Sequence, residues 1–196
     1  FRYPERTVKP PNLIEAMSIE PGVTPANADP DDLILDVRTP SGAVVAVDDP
    51  ALKEMLVEGL RGENHLTLVR SDRVLTDCRP VSMISLQTIQ QVQTELGIPL
   101  DKRRFRANVY FNLASGFGFG EDELVGRKLR IGSRAEIMVL ERDPRCKMIS
   151  LDPETGEHHP EVLRKVAQAH DNLAGVYCAV LVEGILTKND SIELLD

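Results

Sequence analysis

The feature that most limits what this chain can become is a succession of short β-branched and aliphatic runs, punctuated by Gly and Pro, with only three stretches of helical periodicity among them. Leu33 to Val37 and Ala43 to Val47 flank Thr39-Pro40-Ser41-Gly42, whose Pro and Gly suit a tight reversal, so a hairpin is predicted there. Leu66 to Val69, Lys128 to Ile131, Ala135 to Leu140, Val176 to Val182 and Ile192 to Leu195 read as further strands, the last of them after a turn at Asn189-Asp190. Between Arg104 and Asn112 the apolar residues Phe105, Ala107, Val109 and Phe111 alternate with arginines, amides and Tyr110; a period of two puts the two sets on opposite faces of a strand. Helices are predicted from Asp49-Pro50 to Gly62, from Ser85 as N-cap to Gly97, and from Pro160 with Val162, Leu163 and Val166 inward. With no regular βαβ alternation, the pattern points to a β-barrel or a mixed α/β (α+β), mainly β fold, with short peripheral helices.

At 196 residues, 42% apolar and 28% charged, the chain can bury one substantial core without disulfides or metal. Residues 1 to 32, rich in Pro, Asn and Asp, read as an irregular lead-in. No stretch has the length of uninterrupted apolar sequence that a membrane span needs, and no secretory signal is visible, so a cytoplasmic location is expected. A formal net charge of -8 argues against general binding to nucleic acid or to an anionic membrane. Cys78, Cys146 and Cys178 are odd in number, widely spaced and without a C-x-x-C pair, which suggests neither a disulfide framework nor structural zinc.

Five motifs occur in order: RFRANV at Arg104 to Val109, GEDELVGRKLRIG at Gly120 to Gly132, DPRCKM at Asp143 to Met148, LDPETGE at Leu151 to Glu157 and GVYCAVLVEG at Gly175 to Gly184. Together they resemble the MOSC (molybdenum cofactor sulfurase C-terminal) domains, a family that includes the tail of molybdenum cofactor sulfurases and the amidoxime-reducing enzymes. The resemblance implies a MOSC domain over residues 81 to 196, with residues 1 to 80 as part of the companion N-terminal β-barrel lobe. That lobe usually begins with a strand ending in Tyr-Pro-Val-Lys-Ser, whereas here Tyr3-Pro4 is followed by Glu5-Arg6, and the Lys-Ser cofactor contact is absent. The pyridoxal phosphate of full-length sulfurases belongs to their other domain and has no counterpart motif here.

The family's characteristic cysteine matches Cys146. By resemblance it either ligates molybdenum or carries a persulfide, two tasks that suit a soft thiolate. Arg142, Arg145 and Lys147 lie close to it in sequence and form an expected activating field, since nearby cations favour the thiolate. The molybdenum cofactor is a pterin ending in a phosphate, and the family motif implies that Arg106 and Asn108 contact it with a guanidinium fork and an amide. Ser85, at a helix start, is expected to offer a hydroxyl and free N–H groups to the same anion. Arg145 would anchor either the cofactor or an anionic substrate.

The other chemistry-bearing residues read as structural. Cys178 sits inside an apolar strand, Gly116, Gly118 and Gly120 form a hairpin loop, Glu121, Asp122 and Glu123 form a solvated turn, and the adjacent His158 and His159 lack the spacing of a zinc pair. The leading expectation is a molybdenum-dependent oxidoreductase reducing N-hydroxylated compounds, its electrons supplied by a separate ferredoxin or flavoprotein reductase. The alternatives are a sulfur carrier or sulfurtransferase served by a cysteine desulfurase, and a non-catalytic MOSC binding module.

Overall fold

A computed structural model describes residues 6–8, 35–39, 41–58, 66–69, 78–114 and 116–195. The chain divides into two compact units, one of residues 2–74 and one built on residues 75–196.

In the first unit, strands β1 (Arg6–Val8), β2 (Leu35–Arg38) and β3 (Val44–Ala46) form an antiparallel sheet in that order. The expected hairpin is β2 and β3, with Val37 opposite Val45. Its turn closes through Gly42 N–H to Thr39 O at 2.9 Å, with Gly42 at φ 87°, a conformation glycine adopts without steric cost. Helix α1 (Pro50–Glu58) starts as predicted, the Asp49 carboxylate accepting from Ala51 N–H at 2.9 Å. Two expectations are corrected. The lead-in is not wholly irregular, since Arg6–Val8 pairs with Leu35–Val37. Leu66–Val69, by contrast, is not a strand; Leu68 and Val69 are exposed, and among the described residues no strand pairs with the run. Tyr3-Pro4 and the end of the first helical pattern at Gly62 lie outside the described residues.

The second unit is built on a six-stranded, curled half-barrel sheet in the order β5 (Val109–Phe111), β4 (Val81–Ser85), β8 (Leu173–Val182), β7 (Ala135–Pro144), β6 (Lys128–Ile131), β9 (Ile192–Leu195). All neighbours are antiparallel except β4 and β5. The mixed α/β architecture with few and short helices is the one expected.

Both faces of the central strands are covered. One face carries Met83, Phe111, Leu129, Ile137, Val139, Val176 and Cys178. Against the other pack α2 (Leu86–Leu96) and α3 (Pro160–Ala169), with Ile84, Ile89, Val92, Phe105, Val162, Val166 and Ala174 in a second cluster. Ala174 and Val176, two apart on β8, would share a face in a regular strand, yet they belong to different clusters. Gly175 between them has φ 81°, and the β7–β8 register shifts at this level. The strand thus turns over at one glycine.

The stretch from Arg104 to Asn112 is not one strand. Residues 102–105 form a 3-10 helix capped by Asp101, Arg106 closes it at φ 53°, and pairing begins only at Val109. The left-handed residue breaks the alternation, so Arg106 and Asn108 do not share a strand face. Nor is the glycine-rich segment a hairpin loop, because β5 and β6 are not neighbours in the sheet. It folds instead onto α2, where a side chain on Gly118 would meet Gln91.

A Cβ added at Gly175 would lie 2.6 Å from Met83 O and 3.0 Å from Arg145 Nη2. Gly175→Ala is therefore expected to destabilise the fold by about 2–4 kcal/mol, combining a left-handed alanine with an overpacked strand crossing. Urea unfolding of the two proteins measures it, and a cost below about 0.5 kcal/mol would contradict the crossing described.

Candidate functional site

Cys146 lies just beyond the end of β7, as N-cap of a 3-10 helix at Lys147–Ser150, and its thiol is exposed. The residue before it points inward. Arg145 is 8% exposed and its guanidinium joins three segments: Nε donates to Ala174 O at 2.6 Å, Nη1 donates to Phe105 O at 2.9 Å, and Nη2 lies 2.7 Å from the Asp143 carboxylate, itself buried. The guanidinium also stands 5.5 Å over the Phe105 ring. The Arg145–Phe105 bond ties the end of β7 to the 3-10 helix that precedes Arg106.

Burial pushes the Arg145 guanidinium below its ordinary range, and the charge of Asp143, then the ionised forms of Tyr177, Tyr110 and Cys146, offset part of that penalty. The other expected members of the activating field differ. Arg142 pairs with Asp122 at 2.8 Å, and Lys147 is exposed. Arg145 itself acts from below the surface, as part of the wall, with its donors directed at backbone carbonyls and Asp143.

Arg106 is exposed. Asn108 is exposed as well, and its Oδ1 accepts from Ser82 N–H at 2.8 Å and lies 3.0 Å from Ser82 Oγ, which leaves its amide NH2 as the group able to meet a ligand. Ser85 caps α2 as expected, its Oγ accepting from Thr88 N–H at 3.0 Å, but it is fully buried. The anion at this helix start is the protein's own Glu121. That carboxylate accepts from Ser85 N–H at 3.2 Å, Ser85 Oγ at 2.7 Å and Thr88 Oγ1 at 2.7 Å. The reading of Glu121 as part of a solvated turn is thus corrected. Its neighbour Phe119 donates N–H to Thr88 Oγ1 at 2.6 Å, so the loop is pinned to the helix.

Cys178 is fully buried and its thiol is pushed up to about 12 by burial, as suits a packing residue. Cys78 is exposed. Of the two histidines at the start of α3, His159 lies near Glu157 and Glu161, and among the described residues no group of three or more His, Cys, Asp or Glu comes together as a metal site. The LDPETGE motif makes a tight turn, with Asp152 Oδ1 accepting from Glu154 and Thr155 N–H at 2.9 and 3.0 Å, while its Oδ2 binds buried Arg104 at 2.9 Å. An open groove of about 430 Å³ lies elsewhere, between α2 and the Gly116–Gly118 loop, lined by Leu86, Gln87, Gln90, Asn112 and Phe117.

One residue escaped the sequence reading. Asn172, in the left-handed conformation at φ 63°, accepts from Arg145 N–H with its carbonyl at 2.8 Å and donates its side-chain amide to Arg145 O at 2.7 Å. Its sequence signal is slight: an Asp-Asn pair between a helix and a strand, residues that tolerate positive φ.

The fold and the exposed thiol define a mixed α/β domain presenting one cysteine at the end of a sheet. The family model described as the MOSC domain matches residues 70–193, more than half of the chain, and the chain belongs to that family. It is 28% identical over 110 residues to molybdenum cofactor sulfurases of Drosophila pseudoobscura pseudoobscura and Drosophila persimilis; the aligned part is 56% of this chain and 12% of each relative, so the chain spans only a small part of their length. Among solved structures it is similar to YiiM from Geobacillus stearothermophilus, with a TM-score of 0.48 and 18% identity over 60% of this chain and 55% of that one. Among the described residues, no helix is long and apolar enough to cross a membrane.

Two outcomes follow for the supports of the site. Glu121→Ala would leave the buried Ser85 and Thr88 donors without their acceptor and is expected to cost about 2–3 kcal/mol, measurable by chemical denaturation. The Asp152 carboxyl is held below its usual range, first by the Thr155 N–H bond and, against burial, also by Glu154 N–H and Arg104. A depressed carboxylate adds stability above its unfolded-state value, and that stability is lost as pH falls through its folded one. The acid limb of a thermal-unfolding profile should therefore be shallower below about pH 4 in Asp152→Asn than in the parent. Parallel acid limbs would show that Asp152 contributes nothing there.

Proposed function

We propose that this protein binds the molybdenum cofactor at Cys146 and works as an oxidoreductase that reduces N-hydroxylated compounds, with electrons delivered by a separate ferredoxin or flavoprotein reductase. The observation that carries the reading is the Cys146 thiol, exposed at the end of β7 directly beyond the buried Arg145–Asp143 pair. An accessible thiolate is a fitting ligand for a soft metal centre, and family membership supplies the reason to name molybdenum. Bound there, the cofactor would supply the redox chemistry.

The remaining residues fit the pterin in part. Arg106, exposed next to the Phe105–Arg145 bond, offers a guanidinium for the terminal phosphate, and Asn108 offers its amide NH2. Ser85 does not fit, because Glu121 occupies its hydroxyl and backbone N–H, and an incoming phosphate would meet that buried carboxylate. Arg145 supports the site through charge and through the placement of its neighbour.

A second reading, in which Cys146 carries a persulfide received from a cysteine desulfurase, is favoured by the same exposure, since a sulfur passed between proteins must be reached from outside. The sulfurase names of the matched relatives support it.

Protein purified from a cofactor-competent host is expected to contain molybdenum and pterin, and Cys146→Ser to lose at least about nine-tenths of the metal while remaining folded. Folded wild-type protein free of both would overturn the first reading. The persulfide reading is then decided by mass spectrometry after incubation with an active desulfurase: an added sulfur on Cys146 supports it, and an unmodified thiol removes it.

A further inference from the structure

We propose that Asn172 is a positioning residue for the Cys146 thiol, holding both polar groups of the Arg145 backbone so that the sulfur is presented from a fixed support. The role rests on the reading of Cys146 as the reactive group.

The argument starts from the chain path. Helix α3 ends at Ala169, and the next residues, Asp171 and Asn172, both adopt positive φ, at 54° and 63°. Two successive non-glycine residues in this conformation form a sharp and costly reversal, which Asp and Asn tolerate better than other side chains. The reversal is pinned by Asn172 N–H to Val166 O at 3.2 Å and Leu173 N–H to His170 O at 2.8 Å. It also lets one residue do two things that an extended strand could not. Asn172 uses its carbonyl to accept from Arg145 N–H and its side-chain amide to donate to Arg145 O. The amide acts as a substitute peptide group, closing a paired contact between the last turn of α3 and the end of β7.

The consequence reaches the sulfur because Arg145 has little remaining freedom. Its backbone is held by Asn172, its side chain by Ala174 O, Phe105 O and Asp143, and Gly175 packs directly against the guanidinium. Cys146 follows a residue fixed at both ends, so the placement of its Cα–Cβ bond is set by contacts that do not involve the thiol. Preorganisation of this kind matters most for a ligand or nucleophile, whose productive geometry tolerates small displacements only. The bonds that close the turn itself are those to Val166 O and His170 O; the two to Arg145 are additional and act on β7.

The test reads the thiol, without the cofactor. In a Cys78→Ser background, which leaves Cys146 as the accessible thiol, the rate of iodoacetamide alkylation at Cys146 is followed against pH in the parent, Asn172→Gly and Asn172→Asp. Glycine keeps the positive φ and removes the amide donor; aspartate keeps the shape and turns the donor into a charged acceptor facing Arg145 O. Both are expected to move the alkylation midpoint by about half a pH unit or more, upward for aspartate, because its charge opposes the thiolate. Unchanged midpoints and rates in a folded variant overturn the proposal. Should neither variant fold, hydrogen exchange in the parent decides: the Arg145 amide should be strongly protected, and an amide exchanging at the rate of an open loop overturns it. Molybdenum content, measured in parallel, separates the two ideas, since a metal-free parent with shifted variant midpoints sinks the cofactor reading and leaves the positioning role standing.

Discussion

The structure around Cys146 depends on one buried cation. The Arg145 guanidinium is the point at which the end of β7, the start of β8 and the 3-10 helix before β5 meet, through Asp143, Ala174 O and Phe105 O. Taking such a charge out of water costs several kcal/mol, and its partners return that amount only when the geometry is good. An apolar side chain of the same volume could fill the space, but it could not hold two carbonyls and a carboxylate in fixed directions. What the arginine gives the fold is therefore direction: it sets where the chain leaves the sheet and where the next residue, Cys146, comes to the surface. The left-handed turn-over at Gly175 belongs to the same construction, because a Cβ there would stand 3.0 Å from the guanidinium.

Most of the elements were legible because their causes are local. The β2–β3 hairpin has its Gly42 reversal, α2 has its Ser85 cap and its left-handed Gly97, and β6, β7 and β9 show aliphatic runs bounded by turn residues. The failures share a different cause, which is that the deciding partner lies far away in sequence. The alternation from Arg104 to Asn112 imitates a strand, but Arg104 is drawn inward by Asp152, 48 residues on, and the chain takes a 3-10 turn to deliver it. Leu66–Val69 has the composition of a strand but, among the described residues, no neighbour to pair with, and composition reports only that a residue suits a pleated surface. Glu121 looked solvated because acidic triplets usually are; its donors, Ser85 and Thr88, are more than thirty residues upstream.

The same distinction applies to the candidate site. Cys146 was readable from its motif, and the structure puts it at the surface, where a thiol can be reached. The field of positive charge around it was inferred from adjacency along the chain, and adjacency is a poor guide at the end of a strand, where consecutive side chains leave in opposite directions. Arg142 goes to Asp122 and Arg145 to Asp143, so two of the three cations that sequence placed near the sulfur carry their own counter-ions, while Lys147 is exposed. In a chain of net charge -8 this is the expected outcome, since carboxylates outnumber the cations available to answer them.

That constraint bears on how an anionic ligand could be held. A phosphate needs donors that are not already answered, and the helix start at Ser85, normally the readiest source of them, is closed by Glu121. In the proposed reading the anion would therefore be met away from α2, where the Asn108 amide NH2 is a donor able to contribute. The open groove beside Gln87 and Phe117 lies on the α2 side and is lined by amides and apolar surface, without a cation among its lining residues. Neither Cys146 nor its neighbours Arg145 and Lys147 line this groove, so in the proposed reading the affinity of a cofactor at Cys146 would rest on the sulfur and a small number of directed contacts.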